Sequence, residues 1–166
     1  MNSPKQWFLI LLRIDWQEGY TLWFSGEGDG FEVVGGKVPT WRSANTALEY
    51  AAKQGYTVAS EKPPIYALDQ LMERVTSTWT LADRQSTLDA WNLFSDLATT
   101  VGNQAFLTLD RESQDVYNHL FYLCDAAPVR GTQAEPLSTD ELDQLRKVVA
   151  AGLNLTREHF GKMQPA

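Results

Sequence analysis

A chain of 166 residues and 18.7 kDa is long enough for one domain with a real core, since a domain of about 150 residues buries roughly 70% of its unfolded-chain surface. Hydrophobic residues make up 43% and charged residues 21%, and 6 Trp, 6 Tyr and 7 Phe exclude a disordered chain. The 14 Lys and Arg against 21 Asp and Glu leave a charge of −7, which argues against electrostatic capture of nucleic acid or an anionic membrane. One cysteine, Cys124, excludes an intramolecular disulfide and a CxxC redox motif, and it suits a reducing cytosol. The apolar run Trp7 to Leu12 ends at Arg13 and Asp15, short of the about 20 residues a membrane span needs, and no small-residue cleavage site follows it. A cytoplasmic location is expected.

The first third reads as antiparallel strands. Trp7 to Trp16 is apolar on both faces, as in a strand buried in the middle of a sheet, and Gln17-Glu18-Gly19 is the expected turn into Tyr20 to Ser25. Gly26 to Gly30 is a second turn leading to Phe31 to Val34, and Gly35-Gly36 breaks that strand, so the simplest account is a three-stranded meander. At Ser43, a candidate N-cap, the period changes. Ala47, Leu48, Ala51 and Ala52 fall along one side of a helix ending at Gly55, and Tyr56 to Val58 reads as a further strand. Glu61 to Pro64 then separates a β-rich part, about 6–60, from a helical part, about 65–160.

In the helical part Ile65 to Leu68 reads as a brief strand, and Asp69 as the cap of a helix to about Thr76. Ser86 to Val101, with Trp91, Phe94, Leu97, Ala98 and Val101 at spacings of three and four and Gly102 at its end, is the clearest helix. Asp110 or Ser113 starts another, with Val116, Leu120 and Leu123 on one face. Pro128 and Gly131 to Pro136 read as loop. Ser138-Thr139-Asp140-Glu141 is a capping box opening a last helix whose stripe is Leu142, Leu145, Val149, Leu153 and Phe160. The expectation is one α+β domain over 1–166: an N-terminal antiparallel sheet with one packed helix, then three or four helices docked on it, without the alternating βα order that demands a parallel sheet.

Chemistry-bearing motifs are few. A phosphate cradle at Gly26 to Gly30 would need a helix after the glycines, whereas a strand follows, and Glu27 and Asp29 would repel the phosphate. Asp115 and His119 are four apart on one helix face, which suits either a surface ion pair or a carboxylate-oriented general base, but no nucleophile stands beside them in sequence. No catalytic residue, metal site or cofactor is therefore assigned. The acidity is densest over 61–110, where 7 acidic residues face 3 basic ones. Asp89, Asn92 and Asp96 form one polar stripe on an otherwise apolar helix. Two carboxylates seven residues apart are about 10.5 Å apart along the axis, too far to share an ion, so the stripe suits a solvated face or a docking surface for a basic protein partner. Trp79 and Asp83 just upstream complete the candidate interface, with the Glu27 and Asp29 hairpin as a second one. Trp7, Trp16 and Trp91 are assigned to packing, and Trp41 to a core edge or a contact.

Trp41-Arg42-Ser43-Ala44, Ala47-Leu48-Glu49-Tyr50-Ala51 and Gly55-Tyr56, followed by Ala90-Trp91-Asn92-Leu93-Phe94-Ser95-Asp96-Leu97, resemble small acidic bacterial immunity proteins of contact-dependent inhibition and other polymorphic-toxin systems. The likeness runs loosely from about Phe8 to Phe160. It implies a non-enzymatic inhibitor that binds a cognate toxin domain in the cytoplasm, and it transfers no toxin-contacting residue. The two other classes that fit the sequence are a small enzyme with a site assembled around His119 and Asp115, and a bacterial scaffold or adaptor domain.

Overall fold

The computed structural model describes residues 4–59, 61–108, 110–131 and 134–165. Strand β1 (Gln6–Ile14) lies between β2 (Gln17–Ser25) and β4 (Ile65–Ala67), and β3 (Gly30–Phe31) lies outside β2, giving the order β3-β2-β1-β4. Both faces of β1 are covered, which is why it is apolar throughout. Trp7 and Leu9 pack with Leu22 against Ala47 and Ala51 of α1 (Ala44–Lys53), while Ile10, Leu12 and Ile14 join the larger core on the other side. The sheet is thus a middle layer, with one helix on one face and a bundle on the other.

Several local expectations are corrected here. The turn between β1 and β2 is two residues, Asp15 and Trp16, both left-handed at φ 53° and 60°, and Gln17 to Gly19 belong to β2. A two-residue hairpin of this hand matches strand twist but ordinarily takes Asn-Gly. Here tertiary contacts hold it: Arg157 donates twice to the Asp15 carboxylate, at 2.7 and 2.8 Å, and the Trp16 amide donates to Asp69. Asp69 is therefore not a helix cap, and Trp16, 77% exposed, is not a packing residue. Leu48 and Ala52 face solvent, and only Ala47 and Ala51 of the α1 stripe are buried. Tyr56 to Val58 makes a single bridge, Val58 to Trp7, instead of a strand.

The Pro63-Pro64 segment carries the chain back so that β4 runs parallel to β1, with the Leu11 amide donating to the Pro64 carbonyl at 3.0 Å. The sheet is mixed, not purely antiparallel, because α1 and the proline segment form a long enough crossover to return the chain to the same end of the sheet. The α+β class stands.

Among the described residues six helical segments follow: α2 (Leu71–Arg74), α3 (Leu81–Val101), α4 (Gln104–Leu107), α5 (Arg111–Cys124), α6 (Ala126–Arg130) and α7 (Thr139–His159). Helix α3 begins five residues earlier than its apolar stripe suggested, because Thr80 and Asp83 form a reciprocal capping box. Its end is as expected: Gly102 takes the left-handed conformation, φ 70°, that closes a helix. The Asp110 cap and the Ser138 and Glu141 capping box also stand. Helix α4, capped by Asn103, was not anticipated, and Pro128 lies inside α6 instead of a loop, in a first turn where its missing N–H is no loss. Helices α3, α5 and α7 form the bundle. After α7, Phe160 packs edge-on against Phe31 at 5.4 Å, and β5 (Gln164–Pro165) adds to β2.

The capping assignment carries a test. Thr80→Ala removes a side-chain acceptor from the start of a 21-residue helix and should lower stability by about 1 kcal/mol, read as a lower urea midpoint at unchanged slope.

Candidate functional site

The stripe on α3 faces the sheet across a cleft of about 370 Å³ lined by Trp23, Asp29, Tyr66, Asp89, Asn92 and Asp96, together with Leu93 and Ser95. Alternation explains the floor. Phe8 on β1 is paired with Trp23 on β2, so both lie on the bundle side of the sheet, their rings 5.3 Å apart. Tyr66 on β4 is paired with Leu12 and shares that face. The roof comes from α3, where Asp89, Asn92 and Asp96 recur at helical spacing. Asp29, at the end of the β2–β3 turn, closes one side.

The electrostatics are one-sided, since among the described residues three carboxylates and no Lys or Arg line the cleft. The Trp23 indole N–H donates to Asp96 at 2.9 Å, fixing that carboxylate. Burial pushes the Asp96 carboxyl up to about 6, against the opposing pull of the Trp23 hydrogen bond and with added repulsion from Asp29. Asp89 stays accessible at the rim, yet the surrounding protein still raises its pKa by desolvation. Tyr66 is raised by burial and by the charges of Asp89 and Asp96. These shifts run in one direction: burial penalises the charged form at Asp89, Asp96 and Tyr66, and neighbouring carboxylates add to it at Asp96 and Tyr66. Asn92 is held by the Tyr117 hydroxyl, which donates to its Oδ1 at 2.9 Å.

A pH test follows. The folded-state pKa of Asp96 lies above its ordinary 3.8, so the folded protein takes up this proton first, and stability from this group grows as pH falls from about 6 to 3.8 and is absent above that window. Asp96→Asn keeps an acceptor for the Trp23 N–H without the buried charge. It should raise the melting temperature at pH 7 and flatten the pH dependence across the same window. Equal pH profiles for the two proteins would contradict the assignment.

The other candidate residues are dispersed. Asp83 is engaged in the Thr80 cap, whose backbone N–H and hydroxyl hold its carboxyl below the ordinary range, and lies 3.8 Å from Arg74. Trp79 is half-buried against the main core. Glu27 lines a neighbouring cleft of about 540 Å³ with Lys5, Trp7 and Phe24, and Asp29 borders both clefts. Trp41 packs on Tyr50, and Trp91 is buried edge-on to Tyr117. Sequence reasoning missed Trp23 and Tyr66. Their signal is the strand alternation, which sets Trp23 opposite Phe8 once the hairpin register is known.

The expected Asp115–His119 pairing is corrected. His119 Nδ1 lies 2.8 Å from Glu141 and Nε2 lies 3.1 Å from the Glu135 carbonyl, while Asp115 is exposed. Burial works to raise the Glu141 carboxyl, but the His119 and Ser138 hydrogen bonds outweigh it and hold it low. His119 thus ties α5 to the start of α7, with both ring nitrogens engaged inside the protein. Cys124 is buried, and burial pushes its thiol up to about 11, far from a reactive thiolate. Among the described residues no group of three or more His, Cys, Asp or Glu is placed to hold a metal ion, and no helix is long and apolar enough to cross a membrane. No protein-family model matches the chain, and comparison with curated proteins and with solved structures gives no match either.

Proposed function

We propose that the chain is a non-enzymatic binding protein, most concretely an immunity protein that neutralises a cognate toxin domain in the bacterial cytoplasm, and that the acidic cleft receives a basic side chain of that domain. One observation carries this reading. Asp29, Asp89 and Asp96 converge on a concave, aromatic-floored site that, among the described residues, no Lys or Arg lines. Folding alone would favour a cation there or a neutral residue at position 96, and a cationic partner group relieves the same repulsion on binding. Trp23 and Tyr66 add ring faces on which a guanidinium can lie. The resemblance to immunity proteins supports the same class, and its segment Ala90 to Leu97 contains both Asn92 and Asp96.

Cross-linked purification from the native host, followed by association kinetics with the isolated partner at several ionic strengths, tests the reading. A stoichiometric toxin domain with a basic surface is expected. Asp89→Asn with Asp96→Asn should then slow association about ten-fold at low salt and weaken its salt dependence. Asp83→Asn should leave the rate unchanged, because that carboxylate is already committed to the α3 cap. A partner that associates equally fast with wild type and the double variant would move the interface off this cleft, and one unrelated to toxins would favour the scaffold class.

A further inference from the structure

We propose that the cleft beside β3 is a binding site for a small quaternary ammonium ion, and that the chain's own Lys5 is the cation such a ligand displaces. The cleft, about 540 Å³, adjoins the acidic one and shares Asp29 with it. Its volume falls in the range of small-molecule sites.

The structure already seats a cation here. Lys5 Nζ lies over the face of the Phe24 ring, 3.8 Å from its centre, well inside the reach of a cation–π contact. The hairpin register sets Phe24 opposite Trp7, which meets it edge-on at 5.1 Å, and Tyr56 stacks on Trp7 at 4.1 Å with the planes 11° apart. The three rings brace one another. Glu27, Asp29 and Glu32 line the same cleft, where Lys5 is the only cationic side chain among the described residues. The ion pairs among those residues all lie elsewhere, so Lys5 rests on the ring and not on a carboxylate. An exposed contact of this kind is weak and readily exchanged.

The choice of a quaternary ion follows from the polar groups, most of which are already engaged. The Glu32 carboxylate accepts from the Tyr50 hydroxyl at 2.9 Å and from the Tyr56 hydroxyl at 3.2 Å on each oxygen, which fills most of its about four acceptor positions. Its charge remains. Thr99 and Thr100, also in the lining, donate their hydroxyls to the Ser95 and Asp96 carbonyls. This wall thus offers negative charge and an aromatic face with few free acceptors, and the exposed Glu27 and Asp29 add charge at the rim. A primary ammonium needs acceptors for three N–H groups, whereas a quaternary ammonium donates none and spreads its charge over an apolar surface.

Choline is the probe, titrated into the full chain and followed by NMR at the Phe24 and Tyr56 ring protons, with neohexyl alcohol as its uncharged carbon isostere. Saturable shifts with choline are expected, with about ten-fold weaker binding of the alcohol, since the two differ in the charge alone. Lys5→Gln removes the competing cation and should tighten choline about three-fold, whereas Lys147→Gln, which removes the same charge from α7, should change nothing. Phe24→Leu should weaken choline about ten-fold. Asp89→Asn with Asp96→Asn should leave choline binding unchanged, which separates this site from the acidic cleft and its partner. No saturable shift at these rings, equal binding of neohexyl alcohol, or equal effects of the two lysine substitutions overturns the proposal. So does unchanged binding in Phe24→Leu, or loss of choline in the double aspartate variant. Lys5 is exposed and outside the core, so its variant and the two probes on wild type decide the matter even if Phe24→Leu fails to fold.

Discussion

Gly152→Ala should destabilise the protein by about 3 kcal/mol or more, or prevent folding, the reverse of what the same change does in an ordinary helix interior. There Ala is favoured over Gly by roughly 1 kcal/mol. At Gly152, in the middle of α7, a Cβ would overlap the Phe94 ring at three of its atoms, far inside van der Waals contact. Phe94 is fully buried and also meets Phe106 edge-on, so the surrounding packing resists its movement. The helices must then separate or Phe94 must leave its rotamer, and overpacking of this kind costs about 1–3 kcal/mol even where the neighbours yield. The double variant Gly152→Ala with Phe94→Leu is the check. Relief of the clash makes it less destabilised than the sum of the singles in a denaturation cycle, and strict additivity would contradict the contact.

Trp91→Ala should cost about 3–5 kcal/mol, the range for truncating a large buried aromatic. Trp91 is 1% exposed and meets Tyr117 of α5 edge-on at 5.2 Å, so the loss opens a void between α3 and α5. Its second effect is local. Tyr117 loses the ring that orients it, and its hydrogen bond to Asn92 at the cleft should loosen. Trp91→Phe keeps the edge contact and should cost markedly less. Urea unfolding of the three proteins, with Asn92 side-chain amide shifts as the local readout, measures both effects, and a midpoint for Trp91→Ala within error of wild type would contradict the burial.

What sequence alone determined here is what local chemistry controls. The apolar periodicities of α3, α5 and α7, the Ser138–Glu141 capping box, the Asp110 cap and the Gly102 stop depend on neighbours within one turn, and β1 announces its central place by being apolar on both faces. The α+β class follows from those elements. The polar stripe Asp89, Asn92 and Asp96 was legible for the same reason, as a repeat on one helix. Tertiary structure decided everything that turns on which distant segments meet. The Asp15-Trp16 turn lacks the Asn-Gly signature because Arg157 and Asp69, both far away in the chain, stabilise it in place of glycine. The parallel pairing of β4 depends on where the proline segment returns, and the partner of His119 proved to be Glu141 on another helix instead of Asp115 on its own. The cleft belongs to this second kind. Asp96 becomes a raised-pKa carboxylate because folding buries it and brings Asp29 near, while the hairpin register sets the Trp23 N–H against it as an opposing pull, and burial and charge proximity are properties of space that a one-dimensional pattern does not hold.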